Sequence, residues 1–241
     1  MRIIVWFSCG AASAVAGALA IDQYGKESVH LVYCDVSESE HPDNIRFRAD
    51  VEKWLDKKVE IVRSEKFQNI DDVFEKTRYM SGIAGARCTA EMKKLPRFAY
   101  QKADDIHIFG MTADEQPRIE RLEINNPELY LQWPLRDAGF SKEMCFEKLR
   151  NAGIALPIMY GLGFRNNNCI GCVKAQSPAY WKNVRRHFPE IFERRAKQSR
   201  ELGVRLAKIN GERVFIDEIP IENDWFETIE ENISCGPDCA G

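Results

Sequence analysis

The sequence predicts an α/β protein: a three-layer, doubly wound, mostly parallel sheet followed by a helical C-terminal region. Two observations carry this. Short apolar runs alternate with helix-like stretches from Met1 to Gly110, the pattern of parallel strands joined by crossover helices. Three of those runs end in serine, cysteine, aspartate or glycine, and ligands of such sheets sit beyond the carboxyl ends of the strands. The composition agrees. Of 241 residues, 44% are hydrophobic and 29% charged, which excludes a disordered or fibrous chain. The net charge of −3 argues against a generally basic nucleic-acid coat, though not against a local patch. No apolar run approaches the ~18–20 residues of a membrane span.

The elements follow in order. Ile3 to Phe7 reads as a buried strand ended by Ser8-Cys9-Gly10. Ala11 to Ala20 is rich in small residues and suits a helix packed closely on a sheet, with Gly25 as its stop. Val29 to Tyr33 is the second strand, with Cys34-Asp35 at its end. A helix runs from His41-Pro42 to Leu55, with Ile45, Val51, Trp54 and Leu55 at helical spacing. Val59 to Val62 is the third strand, Phe74 to Met80 a helix, Gly82 to Arg87 a loop and Thr89 to Ala99 a helix. Ile106 to Phe109 is the fourth strand, ended by Gly110. From Ser141 the chain reads as helices and loops, broken by the loop Asn166 to Cys172, with Val214 to Ile219 as a late strand. The division expected is an α/β nucleotide-binding region 1–140 and a helical region 141–241 with a cysteine loop and tail.

Ser8 to Ser13 joins a strand to a helix through small residues. Such a turn lets backbone amides approach a phosphate at a helix N-terminus. It matches neither the Walker nor the dinucleotide pattern, and by itself it fits equally a turn that binds nothing. It resembles a degenerate Ser-Gly-Gly-x-Asp-Ser phosphate loop of the adenine nucleotide α-hydrolase-like superfamily. Ser8, Gly10 and Ser13 match, Cys9 replaces a glycine and Ala12 the aspartate. The phosphoadenosine phosphosulfate (PAPS) reductase family also lacks that aspartate, and further segments resemble its phage-borne members. These are Cys34-Asp35 with His41-Pro42-Asp43, Gly85-Ala86-Arg87-Cys88-Thr89 with Lys93 to Pro96, Gly110 to Glu115 with Arg118 and Arg121, and Asn168 to Lys174.

The resemblance spans Met1 to about Lys174 and implies an enzyme that binds adenylyl sulfate, PAPS or ATP. Amides around Ser8, Gly10 and Ser13 would hold a phosphate or sulfate, near Gly110. Asp35 would bond a sugar or base edge, and Arg118 and Arg121 would neutralise anionic oxygens. The chemistry implied is sulfonate reduction or sulfur transfer. The alternatives are an ATP-dependent sulfurtransferase thiolating tRNA or DNA, and a non-catalytic nucleotide- and cluster-binding regulator.

Cys169-x-x-Cys172 is the strongest local chemical signal. Two thiolates at this spacing grip a metal or a cluster corner, or form a redox dithiol. The plain alternative is two small buried residues. Asn166, Asn167 and Asn168 are placed to donate hydrogen bonds toward sulfur. Cys88, beside Arg87 and Lys93-Lys94, is the candidate third ligand, and the tail offers Cys239 or Cys235 as the fourth. The resemblance favours a [4Fe–4S] cluster over zinc. Cys235-Gly236 resembles the family's C-terminal Cys-Gly pair without its flanking glutamate and histidine, which makes Cys235 the candidate nucleophile, with a ligand role or no role for the tail cysteines as the alternatives. Cys34 and Cys145 read as buried small residues. Arg185, Arg186, Arg194 and Arg195 read as a solvated face rather than a nucleic-acid patch, beside a core of Tyr180, Trp181, Phe188 and Phe192. No export signal is visible, so a reducing cytoplasm is expected, with no membrane contact, a thiol reductant such as thioredoxin as partner, and a homo-oligomer.

Overall fold

Five parallel strands make the central sheet of the computed structural model, which describes residues 1–83 and 85–221. They are β1 (Ile3–Trp6), β2 (Val29–Cys34), β3 (Val59–Val62), β4 (Ile106–Phe109) and β5 (Tyr130–Gln132), in the spatial order β3-β2-β1-β4-β5. β1 is central, with Ile3 opposite both Val29 and Ile106. Every residue of β1 is buried, as a parallel sheet covered on both faces requires. The chain lays β2 and β3 to one side of β1, then returns to place β4 on the other. That reversal is the topological switch point of the sheet.

Alternate residues of β1 feed two cores, because successive strand side chains point to opposite faces. Ile3 and Val5 join Leu31 and Tyr33 under helix α1 (Ala11–Tyr24) and helix α2 (Asp43–Leu55). Ile4 and Trp6 join Val32, Phe109 and Trp133 on the other face, where Ile119 and Leu122 come from a helix introduced below. The first core continues without a break into Cys145, Phe164, Trp181 and Ile216 of the C-terminal half.

Beyond short turns such as Pro134–Asp137 and Ile158–Gly161, the remaining described helices are α3 (Ile70–Thr77), α4 (Leu95–Tyr100), α5 (Gln116–Asn125), α6 (Lys142–Asn151), α7 (Pro178–His187) and α8 (Pro189–Glu201). Ile119 and Leu122 lie on α5, and α6 packs against α1. No described helix is long and apolar enough to cross a membrane.

Several elements differ from the expectation. β5 is an additional edge strand, short and largely exposed, so it carries no apolar run. α3 starts earlier, at Ile70, because the Asn69 side chain caps it by accepting from the Asp72 amide at 2.9 Å. The glycine loop is a tight hairpin of Ser81–Gly82 with Gly85–Ala86. The helix expected from Thr89 opens as an α turn, Arg87–Thr89, followed by a π turn, Ala90–Lys94, before α4. The late strand is replaced by the hairpin β6 (Ala207–Ile209) and β7 (Glu212–Val214) and a 3-10 turn at Ile216–Glu218. Arg195 is buried rather than solvated, paired with Asp71 at 2.6 Å, and half-buried Arg185 donates to the carbonyls of Ile219 and Ile216. Tyr180, Trp181 and Phe192 are core, as read.

At the switch point β4 ends against the first turn of α1. A Cβ on Gly110 would lie 2.5 Å from the Ser13 nitrogen and 2.6 Å from its Cα. Both atoms are backbone and cannot turn aside. Gly110→Ala is expected to destabilise the fold by about 1–3 kcal/mol through overpacking, read as a lower urea midpoint. An unchanged midpoint would mean that the two backbones are not in contact.

Candidate functional site

The carboxyl ends of β1 and β4 open onto a cleft at the switch point. The first loop supplies Ser8, Gly10 and Ser13 to its wall, and the loop after β4 supplies Gly110, Thr112 and Arg118. The C-terminal half closes it with Lys142, Tyr160, Arg165 and the asparagines 166–168. The space open to water is narrow, about 90 Å³.

The first loop is tied to itself. The Ser13 hydroxyl accepts from the Ser8 amide at 3.1 Å and from the Ser8 hydroxyl at 3.3 Å, and donates to the Gly10 carbonyl at 2.9 Å. Cys9 adopts φ +56°, a left-handed conformation that glycine reaches most easily. This is the position where the phosphate loops that the sequence resembles carry glycine. The amides of the first turn of α1 lack intrahelical acceptors. One of them, Ala11 N–H, donates to the Tyr160 hydroxyl at 3.2 Å. That hydroxyl also accepts from the Asn167 backbone, and burial pushes its pKa up to about 12.

Asn167 joins three elements. Its Nδ2 donates to the Cys9 carbonyl and to Asn44 Oδ1, both at 2.7 Å. Asn44 in turn donates to Glu40 Oε2 at 2.8 Å, and the Tyr33 hydroxyl donates to the same oxygen at 2.8 Å. This chain fixes the amide orientation, since both neighbours of Nδ2 are acceptors. The buried Asn167 Oδ1 has no hydrogen-bond partner. Asn167 therefore braces the first loop and does not donate toward sulfur as expected.

Four cationic side chains line the cleft: Lys93, Arg118, Lys142 and Arg165. Glu40, Asp114 and Glu115 line it as well. Arg118 pairs with Glu115 at 2.7 Å, and the other Glu115 oxygen holds the Thr112 amide at 3.0 Å. Lys142 bonds the Arg165 carbonyl, and Asn166 Oδ1 at 2.7 Å. Together with the positive end of α1, these charges suit an anion.

Five residues expected to bind the nucleotide line this cleft: Ser8, Gly10, Ser13, Gly110 and Arg118. Two do not. Asp35 lies at the end of β2 and lines a separate cavity. Burial would raise its pKa, but hydrogen bonds from Ser37 and Arg63 outweigh that and hold it below the usual value. Arg121 is exposed on α5.

Cys169 and Cys172 are buried in one tight turn. The Tyr180 hydroxyl accepts from the Cys172 amide at 2.8 Å and donates to the Cys169 carbonyl at 3.2 Å. Arg195 Nε donates to the Gly171 carbonyl at 3.2 Å. Gly171 takes φ +69°, and a Cβ there would meet Ile191 at 3.1 Å. Cys88 is also buried. Among the described residues no three His, Cys, Asp or Glu side chains gather as a metal-holding group. Cys235 and Cys239 lie outside the described residues. The described part alone therefore does not complete a four-thiolate set.

The other thiols are poor nucleophiles. Burial pushes Cys34 and Cys145 up to about 12 and Cys9 well above its usual value, which keeps them protonated.

Comparison with protein-family models and with curated proteins returns no match. The cleft is defined by its own geometry. Sequence reasoning did not single out Tyr160, Glu40 or Lys142 for it. Only the asparagine run 166–168 carried a signal, and it was assigned to sulfur.

Asn167→Asp would set a carboxylate against two acceptors, the Cys9 carbonyl and Asn44 Oδ1. A loss of about 3 kcal/mol is expected, the scale of a buried charged group without donors. Thermal unfolding at neutral pH checks this, and recovery of the lost stability below the carboxylate range would identify the charge as the cause.

Proposed function

We infer that the chain binds an adenine nucleotide in the cleft between β1 and β4 and acts on sulfur carried by that nucleotide, in the manner of the PAPS-reductase-like family. The observation that supports this most is the place and make-up of the cleft. It lies at the switch point of a parallel sheet, where such folds bind ligands, and it combines a helix N-terminus with cationic side chains. The amides around Ser8 to Ser13 would hold a phosphate or sulfate. Arg118, already oriented by Glu115, would neutralise its oxygens.

The sulfur half of the reading rests on chain continuity. Residues 166–168 line the cleft, and Cys169 is the next residue. In sulfonate reduction the Cys235 thiolate attacks the sulfur of the sulfonated nucleotide. An S–S bond forms, the S–O bond to phosphate breaks, and the nucleotide leaves with that electron pair. A dithiol reductant of the thioredoxin class then releases sulfite and becomes a disulfide. An iron–sulfur centre held by Cys88, Cys169, Cys172 and Cys239 belongs to the same reading, with zinc as the alternative metal. The sulfonate transfer balances without it.

Calorimetry with AMP, ATP and adenylyl sulfate tests the nucleotide. The native chain should bind at least one of them, and Ser13→Glu, which sets a carboxylate against the expected anion, should weaken that binding at least about 100-fold. If none binds the native chain, the loop is only a turn. Selective binding of ATP would move the reading to sulfur transfer onto a nucleic acid.

Anaerobic purification tests the metal separately. About four irons per chain are expected for a [4Fe–4S] centre, lost on Cys169→Ala. Zinc would keep the ligands and end a redox role for the centre, and a metal-free chain would end the centre.

A further inference from the structure

A second cavity, of about 830 Å³, lies between the hairpin at 81–86, the turn at 89–94 and the segments 174–176 and 203–215. Its cations are Lys94, Lys174, Arg205 and Arg213, and no described carboxylate lines it. Its apolar rim includes Ile83, fully exposed at the tip of the hairpin, with Val204, Leu206 and Phe215. Thr89 lines it too, and its buried hydroxyl oxygen has no hydrogen-bond partner. Buried polar atoms are nearly always satisfied, so the wall asks for a polar occupant beside an apolar one.

The chain itself carries that combination. The residues after Ile221 include Glu222, Asp224, Glu227, Glu230, Glu231 and Asp238, with no Lys or Arg. Between them stand Trp225, Phe226, Ile229 and Ile233. This segment begins seven residues after Phe215, itself on the cavity wall. A tethered segment acts at an effective concentration in the millimolar range, which favours it over a separate polyanion. We propose that the basic cavity is the seat of the chain's own acidic C-terminal segment, residues 222–241.

The seat has a consequence for the thiols. Thr89, next to Cys88, and Lys174, two residues after Cys172, both line the cavity. A segment held there would carry Cys235 and Cys239 along a wall whose residues Thr89 and Lys174 are sequence neighbours of Cys88 and Cys172. The seating does not depend on the nucleotide reading, and failure of nucleotide binding would leave it untouched.

Amide hydrogen exchange on the full chain at low salt tests it. Amides of residues 222–241 should be protected, and Arg205→Glu/Arg213→Glu should lower that protection at least about tenfold. Salt near ~1 M, where the screening length is about 3 Å, should do the same in the native chain. Amides of β1 and β4 report whether the double variant still folds. Glu227→Gln/Glu230→Gln/Glu231→Gln, which leaves the described fold untouched, should give the same loss. Tail amides that exchange at the free-peptide rate in the native chain would overturn the proposal. So would protection unchanged in both variants, which would seat the tail elsewhere. A short single-stranded RNA that binds the native chain while the tail is unprotected would assign the cavity to nucleic acid instead.

Discussion

Both protons of the Asn167 side-chain amide are committed, one to the Cys9 carbonyl and one to Asn44 Oδ1. The two acceptors belong to the loop after β1 and to α2, while the donor comes from the C-terminal half. One buried side chain therefore joins the sheet's switch point to the segment that carries the cysteine turn. The Tyr160 hydroxyl repeats the link one step away by accepting from Ala11 and from the Asn167 backbone. Two separate elements thus hold the cleft wall at fixed distance from the start of α1. An anion site built on backbone amides needs that rigidity, because amides cannot reach for a ligand as long side chains do.

The cysteine turn is held with similar stringency but by other means. Tyr180 clamps its two ends through one hydroxyl, and Arg195 holds its middle. Arg195 is itself fixed by Asp71 and Gln198 and lies over the Phe74 ring. A buried guanidinium is costly unless its partners are complete. These contacts fix the backbone of the turn at both ends and in the middle. Cys9, Cys34 and Cys145 show the contrasting case, where burial alone keeps a thiol neutral.

Much of this was legible in the sequence, for identifiable reasons. β1, β2 and β4 are apolar runs buried along most of their length, β3 at the other edge keeps valines and an isoleucine around an exposed Glu60, and each of the four was placed to within a residue at either end. β5 escaped because an exposed edge strand needs no apolar pattern. Strand ends pointed correctly to Ser8, Ser13 and Gly110. The same rule misplaced Asp35, because it identifies the carboxyl edge of the sheet without giving the strand order. β2 ends one strand away from the switch point, and only the spatial order shows that. Arg121 failed for a different reason. It sits one turn beyond Arg118, which Glu115 holds at the start of α5, and a further turn carries the side chain away from the cleft. Tyr160 had no local signal, since its role is a contact across 149 positions of sequence.

The two cavities and the cysteines form one arrangement. Two stretches of chain pass from the cleft to the basic cavity. In the first, Thr89 and Lys94 line the cavity while Lys93 lines the cleft. Successive side chains on a helical turn point in different directions, so the adjacent lysines reach different cavities. In the second, residues 166–168 line the cleft, and Lys174 and Gln176 line the cavity. Cys88 lies on the first stretch, and Cys169 and Cys172 on the second. All three thiols are buried; Cys88 adjoins the cavity-lining Thr89, whereas Cys169 and Cys172 lie in the chain between the cleft-lining asparagines and the cavity-lining Lys174.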